Sequence, residues 1–145
     1  MSYMTLFEVP EPAPELSRKA AVVGLGETDF HIDYKASRAK LPGYEPPTAE
    51  SLAVTTFERA LADSGLSRSE VDGLSVNFLY GGPDATEMAG LLGLAPRHVT
   101  DKSAGICAGP IPAACLAIAE GKCNQVNVVI AEHHVGLQVT REPQR

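Results

Sequence analysis

The segment Ile111-Pro112-Ala113-Ala114-Cys115-Leu116-Ala117-Ile118-Ala119 reads as a helix with no polar side. Pro112 fits the first turn, where its missing N–H breaks no bond, and Gly121 ends the run after Glu120. Leu116 and Ile118 project from different sides, because each helical residue advances by about 100°. A helix that is apolar all round is buried all round. In a layered fold made from 145 residues, an outer helix keeps one face in water. This helix therefore expects cover on its far side, from another layer or another subunit.

The other helical segments carry an ordinary wet face. From Ala49 to Ser64, the residues Leu52, Ala53, Phe57, Ala60 and Leu61 recur at helical spacing, opposite Glu50, Glu58, Arg59 and Asp63. Thr48 is the expected N-cap. Gly65 is the expected left-handed C-cap, with Leu61 meeting Leu66 beneath it. Ser67 to Glu70 resembles a short capped turn, and Asp84 caps a short helix through Leu92, stopped by Gly93 and Pro96.

Between the helices lie Ala20 to Gly26, Leu74 to Phe78, His98 to Thr100 and Gln125 to Ala131, which read as strands. Strand and helix alternate throughout. That order predicts an α/β fold with a mainly parallel sheet, right-handed crossovers and helices on both faces. About four strands are available, so the sheet is incomplete. The expected organisation is a proline-rich extended arm over 1–19, a domain over 20–132 and a tail of little pattern over 133–145. Pro10, Pro12 and Pro14 remove alternate backbone donors from the arm.

Composition narrows the function classes. The net charge of −6 disfavours nucleic-acid and acidic-membrane binding. Trp is absent and aromatic residues make up 6%, too few for base-stacking platforms. No apolar run approaches the roughly 20 residues of a membrane span, and Glu8 and Glu11 are out of place in a signal peptide. Cys107, Cys115 and Cys123 form an odd set without a short pairing motif, as expected in the reducing cytoplasm. Their spacing is not a zinc pattern, and the adjacent His133 and His134 point to opposite faces of any strand, so no metal site is expected. The plain reading of that His pair is a strand end at the surface.

Two motifs bear on chemistry. Gly24-Leu25-Gly26 follows a strand, as a dinucleotide fingerprint does, but Asp29 stands where the third glycine belongs and no helix follows at once. A nucleotide cofactor is not expected there. Cys107 lies in a Gly/Ala loop just ahead of a helix amino end. Free N–H groups and the helix dipole at such a place favour a thiolate, and loop donors there can hold a developing oxyanion. The bland alternative is a small buried hydrophobe in a tight loop.

Three stretches resemble the amino-terminal part of thiolase-superfamily proteins. They are AAVVGLGETDF, SLAVTTFERALADSGLSRSEVDGLSV and AACLAIAEGKCNQVNVVIAE, within Ala20 to Glu132. The nearest flavour is that of sterol-carrier-type thiolases and thiolase-like lipid-transfer proteins and aldolases. The resemblance implies a thiolase-like half-fold, a second similar half, a tight dimer and chemistry on coenzyme A thioesters. It makes the apolar helix the central buried one. A gapless count back from Gly121 puts the family's nucleophile position on Ala104. Three deleted residues are needed to put Cys107 there, followed by Ala108 and Gly109. Relatives without the cysteine have Gly/Ala-rich loops such as Ser103-Ala104-Gly105.

The resemblance implies acyl transfer if Cys107 acts, and retro-aldol cleavage if it does not. The substrate is an acyl-coenzyme A thioester of lipid or steroid type, with no bound cofactor. The remaining catalytic groups lie in the second half, so this chain alone is expected to be inactive. Expected partners are a second copy or a thiolase-like or OB-fold subunit. The alternative reading is a non-catalytic thiolase-like subunit or scaffold that pairs with a full-length partner.

Overall fold

The structure is a computed structural model that describes residues 16–29, 31, 35, 42–45, 47–77, 82–101, 109–129, and the backbone of 130 and 135–141. The described residues form five strands and three helices. They are β1 (Ala20–Glu27), α1 (Ala49–Ser64), β2 (Gly73–Asn77), α2 (Ala85–Leu92), β3 (His98–Asp101), α3 (Pro110–Ala119), β4 (Gln125–Ile130) and β5 (Val135–Arg141). A short 3-10 turn, Arg68–Glu70, precedes β2.

Local chemistry sets the helix ends as expected. The Thr48 hydroxyl accepts from the Ser51 N–H at 3.2 Å. Asp84 accepts from Thr86 and Glu87, and Glu87 reaches back to the Asp84 N–H, completing a capping box. Gly65 and Gly93 close α1 and α2 in the left-handed conformation.

The sheet order is β1-β5-β4-β2-β3. β4, β2 and β3 run parallel, as expected for strands linked through helices. β5 pairs antiparallel with β4 and with β1, so the sheet is mixed and has one strand more than expected. The fifth strand lies in the segment read as a tail. Its period-two apolar positions, Val135, Leu137 and Val139, are the signal that reading passed over. The arm over 1–15 lies outside the described residues.

Helices cover both sheet faces. α1 and α2 pack Phe57, Leu61, Met88 and Leu92 against Leu74, Val76 and Val129. α3 packs Ala114, Ala117 and Ile118 against Val126 and Val128 on the other face. β2 is buried along its whole length, including Ser75 and Asn77. Its alternating sequence would suit a half-solvated strand, but here both faces are covered.

The Gly24-Leu25-Gly26 motif lies within β1 rather than in a turn. A register shift between Val22 and Gly24 turns both glycines toward α1. A Cβ on Gly24 would stand 2.5 Å from the Ala60 carbonyl oxygen. The glycines let a helix lie directly on the edge strand, and α1 then covers that edge. Asp63 accepts from the Leu25 N–H at 2.9 Å, and Arg59 donates to the Glu27 carbonyl.

The same shift places Val22 and Leu25 in rows with Val126 and Val128, on the α3 face. Val22 is 55% exposed, Leu25 49%, and Leu116 on the outer side of α3 45%. The all-apolar helix is therefore buried on its sheet side only, and its outer side is left open by the described residues. No helix among them is long and apolar enough to cross a membrane.

Candidate functional site at the carboxyl ends of the parallel strands

The path of the chain marks one end of the sheet. β2 connects to its neighbour β3 through α2 on one face. β3 connects to β4 through α3 on the other face, passing over β2. Adjacent strands that send the chain to opposite faces leave a crevice beyond their carboxyl ends, where α/β sheets bind ligands. By that rule the switch point of this sheet lies beyond Asn77 and Asp101. The end of β4 is close by, since Ile130 pairs with Asn77.

The amino end of α3 points to the same rim. Its first residue, Pro110, accepts a hydrogen bond at 3.5 Å from the hydroxyl of Ser75 on β2. Pro110 and Pro112 carry no N–H, and the Ala113 N–H is used by Gly109 at 3.3 Å. Of the first three residues of the helix, only Ile111 has a backbone N–H. The dipole still favours negative charge here, but the donor supply expected at this end is thinned by the two prolines.

Cys107, Ser103, Ala104 and Gly105 fall between β3 and α3, outside the described residues. His133 and His134 fall between β4 and β5, also outside them. Chain order alone puts Cys107 three residues ahead of Pro110. The other two cysteines are described. Cys115 is half-buried and Cys123 buried, and burial pushes both thiols up from their ordinary value. No group of three His, Cys, Asp or Glu residues suited to a metal occurs among the described residues.

The opposite end of the sheet holds a feature that sequence reasoning missed. The Asp72 carboxylate accepts from the N–H groups of Asn124 and Gln125, each at 2.8 Å, and from Arg97 Nε at 2.8 Å. Its carbonyl accepts from the N–H groups of Arg97 and His98. One residue thus joins the starts of β2, β3 and β4. Partial burial opposes the charge, but the Gln125 and Asn124 amides and Arg97 hold the carboxyl below its usual value. A shallow surface concavity beside it is lined by Ser67, Arg68, Ser69 and Gly93. Nearby, burial and then Lys122 push the His98 imidazole down. The only sequence signal for Asp72 is its place just before Gly73 and the strand, which reads as an ordinary turn.

No family model matches the chain, and no curated protein matches it. Solved structures do. The Ltp2-ChsH2(DUF35) aldolase is 26% identical, with a TM-score of 0.61, over 81% of this chain and 29% of that one. Cerulenin-bound OleA of Xanthomonas campestris is 13% identical, with a TM-score of 0.60, over 85% of this chain and 57% of that one. The 3-oxoacyl-(acyl carrier protein) synthase III, FabH, of Xanthomonas oryzae pv. oryzae is 14% identical, with a TM-score of 0.60, over 85% and 56%. The chain thus spans less than two thirds of each. All three are thiolase-fold proteins. The chain carries the α/β half-fold of the thiolase-like proteins, as its sequence resemblance implies.

Proposed function

We propose that this chain supplies half of a thiolase-like site that cleaves a carbon–carbon bond in an acyl-coenzyme A thioester of lipid or steroid type, in the retro-aldol sense. The observation that carries this reading is the likeness to an aldolase at 26% identity across 81% of the chain. The proline-thinned amino end of α3 supports it, because a thiolate nucleophile gains most from several free N–H groups. In the proposed step a base takes the proton of the 3-hydroxyl and the bond between C2 and C3 breaks. A carbonyl compound leaves, and the electron pair forms a thioester enolate that is reprotonated at C2. No oxidant or reductant is consumed. In this reading the dipole at the amino end of α3 favours the developing negative charge.

The second reading is acyl transfer with Cys107 as the nucleophile, and its position ahead of α3 favours it. In either case turnover also needs the groups that the resemblance assigns to a second half, which are not among these 145 residues. The open apolar side of α3 favours a thiolase-like partner, either a second copy or a subunit of another type. The neighbouring aldolase carries two component names, which suits such a pairing.

Intact-mass measurement after incubation with a saturated acyl-coenzyme A separates the chemistries. The retro-aldol reading expects no acyl adduct on Cys107. A stoichiometric adduct there would replace it with acyl transfer. Calorimetric titration that finds no binding of any 3-hydroxyacyl-coenzyme A, with or without a thiolase-like partner, would sink the substrate class itself.

A further inference from the structure

We propose that a second copy of this chain covers the open side of α3, and that the two copies exchange cover. The α3 of each copy lies on a strip of sheet that the other copy leaves open. This deepens the proposed reading by naming its partner, but it stands on the geometry of one sheet face and needs no substrate.

Within the described residues, α3 occupies only part of that face. It packs on Val126 and Val128 of β4 and lies over β2. On the other side of β4 come β5 and then β1. Ala20, at the start of β1, still packs against the α3 cluster, whereas Val22 and Leu25 farther along are exposed. Val22 shares a pairing row with Val139 and Val126, and Leu25 shares one with Leu137 and Val128. Neither row contains a charged residue. Two strands at the usual spacing of about 4.8 Å make a strip about 10 Å wide, the diameter of one helix.

A helix set on that strip lies between two sheets, so it needs two apolar sides. α1 exposes Glu58 and Asp63, and α2 exposes Thr86 and Glu87. Among the described helices, only α3 qualifies. Its sheet side buries Ala114, Ala117 and Ile118, and its outer side exposes Pro112 and Leu116. The α3 of a second copy therefore has the shape and chemistry that the strip lacks. A two-fold axis running between two α3 helices, parallel to both, seats them together. Each helix keeps its own β4 and β2 on one side and gains the β5 and β1 of the second copy on the other. Such an interface is isologous and closes at the dimer, so it builds no filament. It also buries an all-apolar helix on every side.

Sedimentation equilibrium of the 145-residue chain, without substrate, should find a dimer. A monomer at every concentration up to about 100 μM, where even weak self-association registers, overturns the proposal. Leu116→Lys alters the helix and Leu25→Glu alters the strip. Both side chains are exposed in the single chain, and far-UV circular dichroism checks that each variant folds. Each variant alone should weaken dimerisation by about tenfold or more, because every dimer carries the buried charge twice. Mixed in equal amounts, the two variants should associate again. In that heterodimer one helix-on-strip contact is wild type, and the other brings opposite charges together. A mixture that stays monomeric, or a dimer that either variant leaves intact, overturns the exchange of cover. Calorimetry with a 3-hydroxyacyl-coenzyme A is read separately, so loss of the dimer leaves the substrate class standing, and loss of the substrate class leaves the dimer.

Discussion

Gly26 lies so close to the Thr56 carbonyl that a Cβ on it would stand 1.9 Å from that oxygen. The contact is backbone against backbone, so no side chain can swing away. Gly26→Ala should cost about 3 kcal/mol or more, through displacement of α1 from β1. Urea unfolding of that variant measures it, and a loss under about 1 kcal/mol would show that the helix yields more readily than its packing suggests.

Gly90 provides the opposite case. It sits inside α2, is exposed, and a Cβ there would meet nothing within 4 Å. Gly90→Ala should stabilise the chain by about 0.5–1 kcal/mol, because alanine loses less backbone freedom in a helix. A raised thermal midpoint is the expected result.

Asp72→Ala should cost about 3 kcal/mol at neutral pH, since it removes the charged acceptor shared by Asn124, Gln125 and Arg97. The wild-type carboxyl has a folded value below its unfolded one. Its contribution is therefore full above the unfolded value of about 3.9 and is lost as pH falls through the folded value. The stability gap between wild type and variant should close on acidification below about pH 4. A gap that stays constant from neutral pH to acid would mean that the charge contributes nothing.

Leu116 is exposed on the outer side of α3. Leu116→Lys should leave the stability of the isolated chain within about 0.5 kcal/mol. It should reduce binding of a hydrophobic dye and any self-association seen by sedimentation. A large loss of stability would instead place Leu116 in the interior.

Much of this fold is legible in the sequence because its punctuation is local. Thr48, Gly65, Asp84 and Gly93 act on their own neighbours, so the expected bounds of α1 and α2 hold. The bounds of β1, β2, β3 and β4 also hold to within a residue or so. What escapes is tertiary. Nothing local distinguishes a glycine needed for a turn from Gly24 or Gly26, whose missing Cβ makes room for α1. Ser75 and Asn77 look solvated by alternation and are buried, because β2, which carries them, is covered on both faces. Asp72 looks like a turn residue, and its partners lie 25, 52 and 53 residues away. At the site itself, the sequence marks the loop with Cys107 but not the two-proline helix end that limits its donors.

The bonds gathered on Asp72 all lie where the three parallel strands begin, at the far end from the crevice. Exchanging the segments that follow Asn77, Asp101 and Ile130 would leave each of those bonds in place. The sheet is thus a chassis fastened at its base, on which loops of different chemistry can be mounted and replaced without refastening the frame.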